Sequence, residues 1–529
     1  MKKDNSDSMD SVTGNPDVSR RSFFKMAGLG LGAGLVGGAV GCDGKPSGGT
    51  GWMPAQYEGR GHFPVQVRGR VPIDPLNPSI SRDDSLCILC GQCSEVCEKV
   101  EAVLGNYRLP MVDDVPCIHC GQCTLWCPTG AISENSGIAK MMEMLNNKDI
   151  HVVVQTAPST RVALGEEFGM PVGTNVEGLQ VAALRALGVN TVFDTNFTAD
   201  MTIMEEATEL VGRISGKINA PIPMFTSCCP AWVKFCEYFY PELIPNLSTA
   251  KSPMSMLSPL VKTYYAKQKG IEPKKIFNVA IMPCTAKKFE AARPEMNAAG
   301  VHHKDGTMRD TDLVLTTREL AQLIKLKGID LTQLQDSAYD KVMSEYSGGG
   351  AIFGATGGVM EAAVRSAYCF ITNEAPPPLL YDLEPIRGLK GIKSAKLEVP
   401  IIGTVRVAVV SGMDNANQLL QRIKDGTESF HFIEFMACPG GCISGGGQPK
   451  SSLPPSDKVR AARTGAIYSI DERMTLRLCH ENPELMAMYD ENNGYLQGGP
   501  NGHEAHEFLH IHDGEYRDRS MNLVAKRSD

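Results

Sequence analysis

From His151 onward the chain alternates short apolar runs with amphipathic stretches. HVVVQT from His151, TVFDT from Thr191, PIPMF from Pro221, IFNVAIMPC from Ile276, VRVAVV from Val405 and HFIEFMAC from His431 are apolar runs of strand length, and they predict strands. Between them, Asp200–Ile214, Ser252–Gln268 and Thr317–Leu326 carry apolar residues at helical spacing. Strands alternating with helices imply parallel sheet covered on both faces, with ligands at the carboxyl ends of the strands. Three cysteine-bearing turns fall at such ends: FTSCCPAW with Cys228 and Cys229, MPCTAKKFE with Cys284, and FMACPGGCISGGGQP with Cys438 and Cys442. Residues 46–80 are rich in Gly, Pro and Arg and have no sustained period, so they are expected to form tether and linker.

Composition narrows the function classes. A chain of 529 residues with 42% hydrophobic content has material for roughly three to four domains. A net charge of -8 with no clustered Lys/Arg stripe argues against a nucleic-acid partner and suits basic protein partners better. The 17 cysteines are odd in number and tightly clustered, which favours metal sites over a disulfide framework.

Cys87, Cys90, Cys93 and Cys97 form CxxCxxCxxxC, and Cys117, Cys120, Cys123 and Cys127 repeat it, with Pro128 closing the second copy. Such spacing lets three thiolates on one tight loop cap three corners of a cubane while the fourth reaches across to the other cluster. Cys87, Cys90, Cys93 and Cys127 are therefore assigned to one 4Fe4S cluster, and Cys117, Cys120, Cys123 and Cys97 to the other. A zinc site would want two CxxC pairs, and disulfides across two residues would be strained. The stretch resembles bacterial two-cluster ferredoxins, departing at Glu98, where proline would usually follow the first copy. Alone, such a domain only relays electrons.

The N-terminus reads as a targeting segment. SRRSFFK, Ser19–Lys25, is a twin-arginine export signature ahead of a Gly/Ala-rich run, Met26–Val40, that is too short and weakly apolar to span a bilayer. That export route carries folded cargo, as a protein loaded with cofactor in the cytoplasm requires. AVGC, ending at Cys42, resembles a lipoprotein processing site, with Ala39 where Leu is usual; ordinary cleavage nearby is the alternative. Either outcome puts the mature protein outside the inner membrane, with anchoring through Cys42 in the first case.

Cys228 and Cys229 are adjacent, so their side chains diverge: one anchors something while the other faces a reactant. Cys229, Cys284, Cys438 and Cys442 come from three separated turns that only tertiary folding can join, and thiolates at such strand ends suit a soft iron-sulfur cluster. TSCCPAW, MPCTAKKFE and EFMACPGGCISGGGQP resemble the three signature stretches of FeFe hydrogenases. With the two-cluster stretch, the likeness covers nearly all of the chain after its leader. The resemblance implies the iron hydrogenase fold, an α+β two-cluster ferredoxin-like domain followed by a two-lobed α/β domain with parallel sheets. It also implies an H-cluster: a 4Fe4S cubane on Cys229, Cys284, Cys438 and Cys442, with Cys442 bridging to a two-iron subsite bearing carbon monoxide, cyanide and a dithiolate. The implied reaction is the reversible interconversion of dihydrogen with two protons and two electrons.

Other roles follow from the same resemblance. Lys287 and the turn Ala157, Pro158, Ser159 are expected beside the cyanides, where such contacts fix orientation and tune potential. Met282 and Met436, each two residues before a cysteine ligand, are expected to shield the irons, although Met is often only core filler. Cys228 is the expected proton carrier, with Glu206, Glu209 and Ser248 as relay groups. Without the family, two glutamates at i and i+3 on a helix read as solvated surface. Three positions depart from frequent family residues without removing a ligand: Ala231 for Gly, Met254 for Gln, and Pro439 where His also occurs. Cys236, Cys369 and Cys479 match no ligand position and are expected to be buried free thiols.

The run SGGGAIFGATGGVMEAA from Ser347 lacks the GK-Ser/Thr ending of a phosphate loop and is expected to pack on the cluster pocket. The last segment, with HENPELMAMY and GHEAHEFLHIHDGEYRD, resembles the small subunit of periplasmic hydrogenases, here fused. His503, His506, His510 and His512 could bind metal, but their irregular spacing favours exposed histidines, which is the expectation. The expected organisation is 1–45 leader, 46–80 linker, 81–145 ferredoxin-like domain, 146–459 H-cluster domain and 460–529 small-subunit-like segment. The expected protein is a monomeric, periplasmic or outer-face hydrogenase passing electrons through both cubanes to a basic c-type cytochrome. The alternative is a non-catalytic iron-sulfur electron-transfer or sensory relative; such proteins tend to lose Cys228 or part of the third motif, and both are intact.

Overall fold

The computed structural model describes residues 69–107, 115–512 and 514–520. Ser19–Lys25, Met26–Val40, Cys42 and most of the expected linker lie outside them. Among the described residues the strands are β1 (Ile80–Arg82), β2 (Ile132–Glu134), β3 (His151–Thr156), β4 (Thr191–Asp194), β5 (Met224–Phe225), β6 (Ile276–Met282), β7 (Leu313–Thr316), β8 (Ile392–Val399), β9 (Gly403–Ser411) and β10 (Phe432–Met436).

Two four-stranded sheets form the two lobes. The first, in order β4-β3-β6-β7, is parallel throughout. The second, in order β5-β10-β9-β8, is parallel except for the β8–β9 hairpin. PIPMF shrinks to Met224–Phe225 because Pro221 and Pro223 have no N–H for a ladder. Past His151 the unforeseen strands are β7, whose LVLT run is only four residues long, and β8, at the sheet edge, where Lys393, Lys396 and Glu398 interrupt the apolar run that marks the inner strands.

The helix Asn196–Ile214 runs between the lobes and is buried nearly throughout. Ala199, Ile203 and Leu210 join the core beneath the second sheet, whereas Phe197, Met201 and Met204 join a core with the 253–266 helices and the C-terminal segment. Its length is therefore set by two apolar faces rather than one, and its carboxylates are interior groups.

Two domain boundaries move. Residues 69–80, expected as linker, are partly packed: Val71 and Ile80 are buried, and the Val71 N–H reaches the Cys93 sulfur at 3.3 Å. The helix Ile138–Asn146, expected in the ferredoxin-like domain, buries Ile138, Met141 and Met144 in the core of the first lobe. The C-terminal segment clasps the catalytic domain, with Ile511 N–H bonded to Thr249 O (2.7 Å) and Arg519 paired with Glu237 (2.8 Å).

Candidate active site

The carboxyl ends of β3, β5, β6 and β10 face one another across an apolar cavity. Cys228, Cys229, Cys284, Cys442, Met282 and Met436 line it, as do Ala157, Pro158, Ser159 and Lys287. Cys438 is buried beside them, close enough to Cys284, Cys229 and Cys442 for their charges to oppose its ionisation. Each sulfur is set by a distinct local device. Pro230 at the first helical position starts the helix Pro230–Phe239 directly after Cys229, and Trp232 stacks on Phe435 at 3.9 Å, locking that helix onto β10. Cys229 Sγ accepts the Ala437 N–H at 3.4 Å. In CPGGC, Gly441 has φ 92°, and a Cβ there would lie 2.6 Å from Thr356 N, so only glycine lets the turn approach this closely.

The adjacent cysteines diverge as their spacing predicts. Cys228 packs among Ile203, Phe353 and Met436, and Cys229 among Phe225, Trp232 and Phe435. Burial pushes the Cys228 thiol well up, and the charge of Glu206 adds to this, so it is held as a proton-bearing thiol. Burial likewise pushes Cys284 up to about 12 and raises Cys229 and Cys442. Thiolates in so apolar a cavity call for cationic iron to stabilise them. The sulfurs surround space instead of meeting at a point: among the described residues no three His, Cys, Asp or Glu side chains converge to hold a single ion.

Two polar groups face this space. The Ser159 hydroxyl is buried and has no hydrogen-bond partner among the described residues, although its own carbonyl accepts from Gln448 (2.9 Å). Lys287 Nζ donates to Cys228 O (3.1 Å) and pairs with Glu290 (2.6 Å). Burial opposes its charge, but Glu290 and the nearby thiols hold its pKa above the usual lysine range. A spare hydroxyl donor and a fixed cation fit anionic cyanide ligands, and four converging sulfurs fit a cubane. Met254, Phe353, Gly354, Thr195 and Ala199 also line the wall. The Gly-rich run thus packs on the pocket as expected, and Met254 presents an apolar side chain there.

Behind Cys228 lie the carboxylates. Glu206 is fully buried, and neither carboxyl oxygen has a close hydrogen-bond partner among the described residues. Burial, followed by the charge of Glu209, raises its pKa to about 8, so it carries a proton at neutral pH. Glu209 accepts from Ser248 Oγ (2.8 Å), Thr249 N (3.1 Å) and Arg213 (2.5 and 3.0 Å). Arg213, four residues beyond Glu209 and on the same helix face, escaped the sequence reading because an i,i+4 pair reads as surface.

Two further cavities hold the remaining cysteines. Cys87, Cys90, Cys93 and Cys127 line one, and Cys97, Cys117, Cys120 and Cys123 line the other. The second abuts the third motif: Gln122 donates to Ser444 O (2.9 Å), Thr285 to His119 O (2.7 Å), and a Cβ on Gly446 would lie 2.3 Å from Cys120 O. Among the unassigned thiols, Cys236 and Cys479 are buried as expected, but Cys369 is only partly buried near the end of the helix Gly358–Thr372. His503 and His512 are exposed, yet His510 is fully buried and His506 half-buried, because the C-terminal segment turns back into the protein there.

A cavity walled by sulfurs at strand ends, with two more cysteine-lined cavities leading away, defines an iron-sulfur oxidoreductase. Residues 150–446 match the family described as iron only hydrogenase large subunit, C-terminal domain, and residues 457–518 match iron hydrogenase small subunit. The chain is 44% identical over 472 residues to iron hydrogenase 1 of Clostridium pasteurianum, covering 86% of this chain and 79% of that one. It is 46% identical over 372 residues to the periplasmic Fe hydrogenase large subunit of Nitratidesulfovibrio vulgaris, covering 69% and 85%. A solved FeFe hydrogenase of Chlamydomonas reinhardtii superposes with a TM-score of 0.63 at 40% identity, covering 72% of this chain and 98% of that one. The chain belongs to the iron-only, or FeFe, hydrogenases. It is an oxidoreductase acting on dihydrogen, with an H-cluster and accessory 4Fe4S clusters.

Proposed function

We propose that Cys229, Cys284, Cys438 and Cys442 would hold the H-cluster through its cubane. Cys87, Cys90, Cys93 and Cys127 hold one accessory cluster, and Cys117, Cys120, Cys123 and Cys97 the other. The observation that carries this reading is the convergence of three separated cysteine turns on one apolar cavity that also receives the Ser159 hydroxyl and the Lys287 ammonium. When bound, the H-cluster supplies the two-electron chemistry of dihydrogen. The chain's own residues do the rest. Ala157, Pro158, Ser159 and Lys287 orient the bound group, and Met282 and Met436 exclude water. Cys228 exchanges a proton at its sulfur with the reacting centre, Glu206 takes that proton at its buried carboxyl, and Ser248 with Glu209 carries it on. Replacing Cys228 with Ala tests the division of labour: full iron content with turnover lost supports it, and loss of iron makes Cys228 a ligand instead.

The finer assignment is an exported hydrogenase with its small subunit fused as residues 460–529, preceded by the leader 1–45 and the ferredoxin-like and H-cluster domains. SRRSFFK and the 46% identical periplasmic relative support a periplasmic or outer-face location by the twin-arginine route. Replacing Arg20 and Arg21 together with Lys blocks export if this is right, and mass spectrometry of the mature N-terminus decides whether Cys42 is acylated. The protein is a monomer whose acidic surface receives a basic c-type cytochrome. Electron transfer to that carrier falls steeply with ionic strength, and a flat salt profile excludes the pairing.

A further inference from the structure

The buried histidine of the C-terminal segment makes contacts that none of the roles above uses. The stretch around His510 pairs antiparallel with the chain at Ala250, two residues past Ser248, through Lys251 N–H to Leu509 O (2.8 Å) and Ile511 N–H to Thr249 O (2.7 Å). This pairing fixes the imidazole edge-on between two carboxylates of the helix Asn196–Ile214. His510 Nδ1 lies 2.8 Å from Thr249 Oγ1, and that hydroxyl lies 3.4 Å from Glu209 Oε2. On the other edge, His510 Nε2 lies 3.1 Å from Glu205 Oε2. Both side chains of the His510–Glu205 pair are 0% exposed. Glu205 also accepts from the Asn501 N–H (2.5 Å) and from the Tyr489 hydroxyl. His506, half-buried, stacks on His510 with ring centroids 4.3 Å apart, and His512 is exposed nearby.

Burying a carboxylate and an imidazole together is costly unless every polar atom is paired, and this arrangement pairs them. With both imidazole nitrogens protonated, Nε2–H donates to Glu205, Nδ1–H donates to Thr249 Oγ1, and the Thr249 hydroxyl donates to Glu209. An unbroken line of hydrogen-bonding atoms therefore leads from Glu209 into a site that can accept one proton.

We propose that the His510–Glu205 pair, brought by the C-terminal segment, is a proton-holding station at the far end of the Glu209 relay, coupled to it through the Thr249 hydroxyl. The transfer balances. Glu209 gives its proton to Thr249 Oγ1 as Thr249 gives its hydroxyl proton to His510 Nδ1, and the added positive charge is shared with Glu205. The reverse sequence returns a proton for hydrogen evolution. His510 and Thr249 act through Glu209 and are positioning residues for the reaction. The proposal rests on the relay role assigned to Glu209.

The test uses full-length holoenzyme and three variants, Glu209→Gln, Thr249→Val and His510→Gln. Thr249→Val keeps the side chain's shape and removes only the bridging hydroxyl at a partly buried position, so it decides the matter even where His510→Gln fails to fold. The expected result is a fall in kcat of at least about tenfold in Thr249→Val and His510→Gln with KM for dihydrogen unchanged. Alongside turnover, infrared difference spectra between dihydrogen- and argon-poised protein carrying 13C-labelled histidine should show imidazole bands that disappear in Thr249→Val. If Thr249→Val keeps kcat within about twofold and retains those bands while Glu209→Gln is inactive, the station is overturned and the relay stands. If Glu209→Gln itself keeps kcat, the relay reading falls and the station with it.

Discussion

Replacing Glu209 with Gln strikes stability and turnover through separate contacts. The Arg213–Glu209 pair is almost dry, with side chains 1% and 3% exposed, and two guanidinium nitrogens reach one carboxylate oxygen at 2.5 and 3.0 Å. The other carboxylate oxygen accepts from Ser248 and from Thr249 N. Gln supplies one neutral acceptor oxygen where two charged ones served, so Arg213 keeps only carbonyl partners such as Leu247 O (2.8 Å). Removing one partner of a buried ion pair typically costs about 3–5 kcal/mol. Losing a proton-transfer group costs about 10²–10⁴ in rate, or about 2.7–5.5 kcal/mol of barrier. The assay is dye-coupled hydrogen evolution per iron-loaded molecule, read beside a thermal melt. A Glu209→Asp variant keeps the charge and should recover part of both losses. Turnover within about twofold of the parent in fully loaded Glu209→Gln would refute the relay. A melt shifted by less than about 1 kcal/mol in equivalent stability would refute the energetic account of the pair.

Further predictions concern other parts of the molecule. Glu206 has a folded pKa raised to about 8 by burial. The folded protein therefore keeps this proton while the unfolded chain loses it above about pH 4.5, and stability falls as pH rises from there to about 8, by at most about 1.4 kcal/mol per pH unit. Glu206→Gln should flatten the pH dependence of the melting point in that window, and parallel curves for parent and variant would contradict the assignment. Gly446→Ala places a Cβ 2.3 Å from Cys120 O and must push the ferredoxin-like domain off the third motif. A loss of about 1–3 kcal/mol in thermal stability is expected, with slower reoxidation of the accessory clusters in freeze-quench electron paramagnetic resonance. Lys287→Met leaves Glu290 facing Ser252 (2.6 Å) and Ser255 (3.0 Å) without its cation. The infrared bands of the bound cyanides should shift in that variant, and an unchanged spectrum would remove Lys287 from contact with them.

Local spacing carried much of this architecture. Six strand positions after His151 were legible because parallel strands buried on both faces write themselves as unbroken apolar runs, and the cysteine motifs mark the ends of three of them. The edge strand β8 was not legible, since exposed Ser394, Lys396 and Glu398 alternate with its apolar positions, and β7 was too short to stand out. The partition of eight cysteines into two sets follows from ligand spacing, and the two sets line two separate cavities. Glu206 and Glu209 were legible only through family resemblance. A helix buried on two faces has no polar stripe to announce which carboxylates are interior, and their pKa shift and ion pair arise from partners far away in sequence. His510 was misplaced for the same reason: its burial comes from pairing with residues 249–251, more than 250 positions earlier, and nothing in HEAHEFLHIH foretells that.

The most direct test of the central claim, that four cysteines from three turns hold an H-cluster, is an infrared spectrum of anaerobically purified protein coexpressed with its maturation enzymes. The region between the amide and thiol absorptions reports metal-bound carbon monoxide and cyanide. The account predicts bands there that shift between dihydrogen and argon, and that vanish when Cys442 is replaced by Ala. A protein with full iron content and no such bands would contradict it, leaving an electron carrier with iron-sulfur clusters alone.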